Sequence, residues 1–280
     1  FAARYAYLGF RIADETLQLM QDMSASGELN SLTPERVWKE TERALGEDAP
    51  DVYIQVLRDC GALAIWFPEI DRLFGVPQRA EYHPEIDTGI HTLMSLRIAT
   101  QLSPKAHVRF AALVHDRGKG DTPASDWPRH IGHEERGVAR VRELSQRLRA
   151  PKDFQALGEQ ASRFHLDIHR AAELRPSTIL RKLVKMDVLR RPERFTELLL
   201  VCEADARGRL GLEDRRYTAS LFWQGALTAV KTVSPATLQA KGLEGTAFIE
   251  ALETAREQAL HEWREHWLQQ TAQESSGHVC

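Results

Sequence analysis

Residues Arg109 to Gly120 read RFAALVHDRGKG. A helical apolar run, Phe110 to Val114, delivers the adjacent pair His115 and Asp116, and glycines at 118 and 120 break it. Neighbours on a helix point about 100° apart. An imidazole and a carboxylate so placed converge on one ion only when other segments bring further ligands of the same kind. Successive segments do so: His91 before the pair, then His133, His165 and Asp205 after it. Imidazole mixed with carboxylate suits manganese, nickel, iron or magnesium better than thiolate-seeking ions. His91, His115, Asp116 and Asp205 are therefore expected to hold a divalent ion able to polarise a phosphate and activate water. His133 and His165 either extend the set toward a second ion or meet substrate phosphates as donors.

Outward from this stretch, nearly every segment repeats its apolar residues with a period near 3.6. No pair of alternating strands stands out, so the expected class is all-α. Prolines 34, 176 and 192 fall at first turns of predicted helices, with Thr33 as a cap. His91 opens a helix for which Thr88 is the candidate cap, and Pro68 reads as a breaker. The expected division is a small helical unit at 1–75, a domain carrying the His/Asp set at 76–212, and a helical segment at 213–268. The polar stretch 269–280 reads as a disordered tail. The chain opens on FAARYAYLGF, apolar and mid-pattern, which reads as a start inside a helix.

Composition narrows the function classes. Forty acidic against 37 basic side chains give a formal net charge of -3, which excludes an overall basic body but not a local basic face. That face is sought at 175–216, where Lys and Arg outnumber Asp and Glu. Arg181, Lys182, Lys185, Arg190, Arg191 and Arg194 are the candidate RNA contacts. The three cysteines, Cys60, Cys202 and Cys280, are odd in number and widely spaced, and fit a reducing, cytoplasmic interior. A run of about 18 uncharged apolar residues is missing, so a membrane partner is not expected. The sequence also lacks a Gly-rich phosphate loop, a Gly-x-Ser-x-Gly elbow and a D-x-D carboxylate pair. Lys119 either reaches a phosphate as a point charge or faces solvent at a helix C-terminus. Arg109 is read as structural rather than as a phosphate clamp.

Several segments then resemble one family in its own order: FAARYAYLGFRI, LTPERVWKE, VLRDCGAL, WFPEIDRLFGVPQ, HPEIDTGIHTLM, RFAALVHDRGKG, WPRHIGHEERG and EADARGR. They resemble the bacterial multifunctional CCA proteins, poly(A) polymerase-like class II tRNA nucleotidyltransferases whose later part carries an HD phosphohydrolase domain. The resemblance implies an HD-type helical domain flanked by helical neck and body segments and a C-terminal helical segment, with the family's nucleotidyl-transfer head outside this chain. It implies 2′,3′-cyclic phosphodiesterase, 2′-nucleotidase and phosphatase activity with nickel or magnesium, manganese being a third option. Partners would be tRNA or other RNA 3′ ends and small phosphoesters, and a homodimer is compatible.

Carried onto this chain, the HD pattern falls on His91, His115 with Asp116, and Asp205. Lys119, His133 and His165 become candidates for catalytic charge neutralisation or proton donation. Two positions depart from the family. The segment FHDLIH of relatives is FHLDIH here, so the acid after His165 moves one place to Asp167. Arg117 stands where an apolar residue generally follows His-Asp, and a buried arginine there needs a partner or a route to solvent. A non-hydrolytic tRNA-binding module with a relict HD site is the alternative. A nucleotide-binding regulatory HD domain is a third reading.

Overall fold

The computed structural model describes residues 1–276, and every regular element among them is helical. An isolated antiparallel bridge between Pro77 and Asp87 is the nearest approach to a sheet. In chain order the helices are α1 (Ala2–Tyr5), α2 (Asp14–Ala25), α3 (Pro34–Leu45), α4 (Pro50–Asp59), α5 (Ala62–Trp66), α6 (Pro68–Asp71), α7 (Thr88–Leu102) and α8 (Ala106–Val114). They continue as α9 (His133–Arg147), α10 (Lys152–His169), α11 (Pro176–Lys185), α12 (Pro192–Arg207), α13 (Ala219–Thr232), α14 (Pro235–Gln239) and α15 (Gly245–Ser276). The chain forms two units. One comprises Phe1–Leu166 with Glu197–Arg216, the other Asp167–Thr196 with the chain from Tyr217 onward.

In the first unit, α8 buries Phe110, Leu113 and Val114 in a core shared with Trp38, Ile54, Leu96, Val141 and Phe154. The rings of Phe110 and Phe154 meet Trp38 edge to face at centroid separations of 5.5 and 4.9 Å. Such pairs add roughly 0.5–1.5 kcal/mol beyond the area they bury. The apolar side of α8 thus anchors the helix, and its last turn holds the His–Asp pair at a fixed depth. Arg109 is structural, as expected: its guanidinium donates to the carbonyls of Ser103, Leu45, Glu47 and Thr100.

Two helix starts differ from the sequence reading. Asp87, not Thr88, caps α7, its Oδ1 accepting from the Ile90 amide at 3.0 Å and its Oδ2 from the Gly75 amide at 2.6 Å. The Thr88 hydroxyl donates instead to the Val76 carbonyl at 2.9 Å. Pro68 does not merely break a helix; it occupies the first position of α6, where its missing N–H costs nothing.

Glycine acts here through close approach rather than through a left-handed backbone. A Cβ on Gly118 would lie 1.9 Å from the His133 carbonyl oxygen, so only glycine lets the 3-10 turn Arg117–Asp121 rest on the start of α9. A Cβ on Gly208 would lie 2.5 Å from Ser95 Cα, which fixes the end of α12 against α7.

In the second unit, Phe222 of α13 meets Trp263 and Trp267 of α15 edge to face, at centroid separations of 4.7 and 5.7 Å. The Trp223 indole donates to the Ile168 carbonyl at 3.1 Å. α15 runs through Ser276, across most of the stretch expected to be an irregular tail; residues 277–280 lie outside the described residues. With no proline or glycine between 246 and 276, extending a nucleated helix costs little per residue.

Candidate metal centre

Five helical segments of the first unit bring the candidate ligands together. His91 sits in the first turn of α7, His115 at the end of α8 with Asp116 next, His133 at the start of α9, His165 on α10 and Asp205 on α12. All six side chains are buried. Two sets of three have ligand atoms within 4.8 Å of one another: His91, His115 and Asp205, and Asp116, His133 and His165. Asp116 joins the sets. Its Oδ2 lies 3.3 Å from His115 Nε2 and 3.8 Å from His91 Nε2, while its Oδ1 lies 3.4 and 3.5 Å from the Nε2 atoms of His133 and His165. Asp205 Oδ1 closes the first set, 3.1 Å from His91 Nε2 and 3.8 Å from His115 Nε2.

Tautomers follow from what stands behind each ring. Nδ1 of His91 faces the Gly208 carbonyl at 3.0 Å, that of His115 the Ala112 carbonyl at 2.7 Å, that of His133 the His130 carbonyl at 2.9 Å, and that of His165 the Ala161 carbonyl at 3.0 Å. A carbonyl only accepts, so each Nδ1 carries a proton and a neutral ring offers its Nε2 lone pair to the interior. Nε2 of His133 and His165 then stand 3.4 Å apart, an arrangement that calls for a cation or a shared proton. His115 Nε2 and Asp116 Oδ1 meet no hydrogen-bond geometry among the described residues.

The electrostatics agree with that demand. Burial by itself would push His115 down, but the Asp116 and Asp205 carboxylates outweigh it and hold the ring above its ordinary value. Burial likewise works to raise Asp116, and Lys119 and His115 overcome it, keeping this carboxyl well below the usual range. Burial lowers His165. A site that pulls so hard on a proton between buried carboxylates and imidazoles pulls on a divalent cation for the same reason. Donor set, orphaned atoms and charge all fit such an ion.

Lys119 is neither solvent-facing nor extended into open space. Its ammonium donates to Asp116 Oδ2 at 2.6 Å and to Gln78 Oε1 at 2.5 Å. Arg117 is 1% exposed, with Glu69 Oε2 3.6 Å away and none of its three guanidinium nitrogens hydrogen-bonded among the described residues. Burial pushes it down to about 10. The displaced acid, Asp167, is ion-paired with Lys182. Lys182, one of the proposed RNA contacts, is thereby partly engaged. Arg190 and Arg191 lie 3.8 and 3.5 Å from the Asp187 carboxylate, and Arg181, Lys185, Arg190 and Arg191 are exposed.

Sequence reading passed over Glu85 and Gln78, which stand behind His91 and Lys119. Both lie in the non-periodic stretch between α6 and α7, where helical spacing gives no signal. The His-Pro-Glu run at 83–85, next to a helix that opens with a ligand candidate, was the available clue.

Residues 88–209 match the family model of the HD domain. Residues 9–74 match the model described as the probable RNA and SrmB-binding site of polymerase A, a region for which the sequence reading named no contact residue. Over most of its length the chain is also similar to proteins called multifunctional CCA protein. It is 54% identical to that of Thioalkalivibrio sulfidiphilus over 95% of the chain, 55% to that of Nitrosococcus oceani over 93%, and 53% to that of Pseudomonas aeruginosa over 95%. It spans 65%, 63% and 65% of those relatives, a little under two thirds of each. Across the region it spans, the chain is similar to the multifunctional CCA proteins, with a match to the HD domain at its centre and a match to the polymerase A RNA-binding model before it.

Proposed function

We propose that this chain is a divalent-metal-dependent phosphohydrolase acting on RNA-type phosphoesters, with tRNA 3′ ends and 2′,3′-cyclic phosphates as the substrate class. The observation that carries the reading is the convergence of four Nε2 lone pairs and two carboxylates in one buried cluster, every Nδ1 being committed to a carbonyl. His91, His115, Asp116 and Asp205 would hold the ion. Such an ion, when bound, supplies Lewis-acid polarisation of a phosphoryl oxygen and a nucleophile at neutral pH. Two imidazoles with two carboxylates suit nickel or manganese. Magnesium, which prefers oxygen ligands, is the poorer fit.

His133 and His165 flank Asp116 on its other oxygen and serve as proton acceptor or donor for the leaving group, or as the remaining ligands of a second ion. Lys119 keeps a positive charge beside Asp116 to offset negative charge developing on the phosphoryl group. The 9–74 segment is the candidate RNA-binding surface of the first unit, and in the second unit Arg181, Lys182, Lys185, Arg190, Arg191 and Arg194 are candidate phosphate contacts. Nucleotidyl transfer is not assigned to these residues, because the sequence holds no D-x-D pair for it. The proposed organisation remains 1–75 as neck and body, 76–212 as the hydrolase domain and 213–268 as a C-terminal helical segment, in a cytoplasmic setting.

The test is opening of 2′,3′-cyclic nucleotides with added nickel, manganese or magnesium, with chelator, and with Asp116→Ala beside the wild type. Activity that ignores both chelator and substitution sinks the assignment. One observation favours a second reading: Leu166 stands where relatives carry an acid, and Asp167 is tied to Lys182. On that reading the chain binds tRNA and the HD centre is a relict, so salt-sensitive tRNA binding without hydrolysis would select it.

A further inference from the structure

His91 differs from the other three imidazoles in what stands behind it. Those of His115 and His165 lean on backbone carbonyls, and His133 Nδ1 has the Glu134 carboxylate only at 3.6 Å, beyond hydrogen-bond reach, whereas His91 Nδ1 faces Glu85 Oε1 at 3.1 Å. That same carboxylate oxygen accepts from His83 Nδ1 at 3.0 Å, and Glu85 Oε2 accepts from the Leu210 amide at 3.3 Å. The Glu85 side chain is only 2% exposed. His83, Glu85 and His91 have the spacing of a cation site, but His91 Nδ1 faces two pure acceptors, Glu85 and the Gly208 carbonyl, and so carries a proton rather than a metal. Its Nε2 is left as the ligand atom, pointing at Asp205 and Asp116.

The loop that delivers Glu85 is built at a conformational cost. Ile86 has φ +62°, a left-handed conformation that is an outlier for a β-branched residue. It is held there because its carbonyl accepts from the Gln78 amide at 2.7 Å and because Asp87 is pinned as the cap of α7. Backbone strain of this kind persists where the surroundings over-determine it, often beside functional groups.

We propose that Glu85 is a positioning residue of the metal centre. Its carboxylate fixes the tautomer and orientation of His91 and strengthens Nε2 as a ligand, while His83 braces Glu85 from the far side. A carboxylate behind a ligating imidazole raises the basicity of the ligand nitrogen, and losing such a partner commonly weakens metal binding tenfold to a hundredfold. The inference rests on the reading of His91 as a metal ligand.

Nickel affinity of the whole chain, measured by competition with a chromophoric chelator, tests it, together with the visible spectrum of the cobalt-loaded protein. Glu85→Gln keeps the shape and removes the charge. It is expected to weaken nickel binding about tenfold or more and to shift the cobalt bands, with the helical circular dichroism of the metal-free chain unchanged. His83→Gln is expected to give a smaller loss in the same direction. Affinity within twofold of wild type and an unshifted cobalt spectrum for Glu85→Gln overturn the proposal while leaving the metal reading standing. So does a loss of affinity that only follows a loss of helical circular dichroism. A wild-type chain that binds no nickel, or a His91→Ala chain that binds it as well as wild type, overturns the metal reading and this proposal with it.

Discussion

One residue past the His–Asp pair sits a guanidinium with no hydrogen bond among the described residues. The one ion pair of Arg117 among them is with Glu69 at 3.6 Å, and Glu69 is already gripped by Arg147 at 2.7 and 2.8 Å. Desolvation of a buried ion outweighs so loose an attraction. Arg117→Leu is therefore expected to be neutral or stabilising by about 1–4 kcal/mol, since Glu69 keeps Arg147. Glu69→Ala is expected to cost about 3–5 kcal/mol by stranding the buried charge. Urea denaturation of both variants checks the pair, and a large loss for Arg117→Leu would mean the guanidinium has partners beyond Glu69. Arg117 is conspicuous in the sequence as a departure from the apolar residue that generally follows His-Asp in the resembled family. What the sequence could not give was the partner, which lies 48 residues earlier on another helix.

Between helices, the centre depends on two contacts that admit no side chain. Gly118 meets the start of α9 and Gly208 meets α7. Gly118→Ala and Gly208→Ala are each expected to destabilise by roughly 1–3 kcal/mol or more, because the opposing atoms are backbone and cannot swing aside. Gly118→Ala should also weaken nickel binding by moving His133 away from Asp116. Thermal melts and metal titration of the two variants check this. At this scale legibility was uneven. The 3.6 period gave the all-α class, and the spaced His and Asp residues gave the six members of the cluster. Gly118 was legible only as a chain breaker, because a close approach involves a partner far along the sequence. Asp87 and Thr88 are both residues that cap helices, and spacing alone does not separate them; Glu85 and Gln78 lie in a loop, where periodicity carries no signal.

For the molecule as a whole, charge sets the response to pH and salt. Glu69, Glu159 and Glu197 are held below their ordinary 4.5, and Asp116 well below 3.8. Burial opposes ionisation at each, and their cationic partners overcome it. A carboxyl lowered on folding stabilises fully above its unfolded value and loses that contribution as pH falls through the folded one. The melting temperature should therefore drop as pH is lowered from about 5 to 3. Glu197→Gln, which removes the partner of Lys105 and His107, should flatten that drop. RNA binding by a chain of net charge -3 must work through local cations. Neutralising Arg181 and Arg191 together should lower the slope of log affinity against log salt by roughly 1.4–1.8, and an unchanged slope would remove them from the contact surface. The four Nδ1 protons facing carbonyls have a consequence of their own. Each is shielded from solvent and bonded inside the fold, so the imidazoles should give slowly exchanging, downfield proton resonances before any ion is added. On titration with a diamagnetic ion such as zinc those protons should persist while the Nε2 nitrogen signals move, so that the centre can be counted atom by atom in a spectrum without turning over a single substrate.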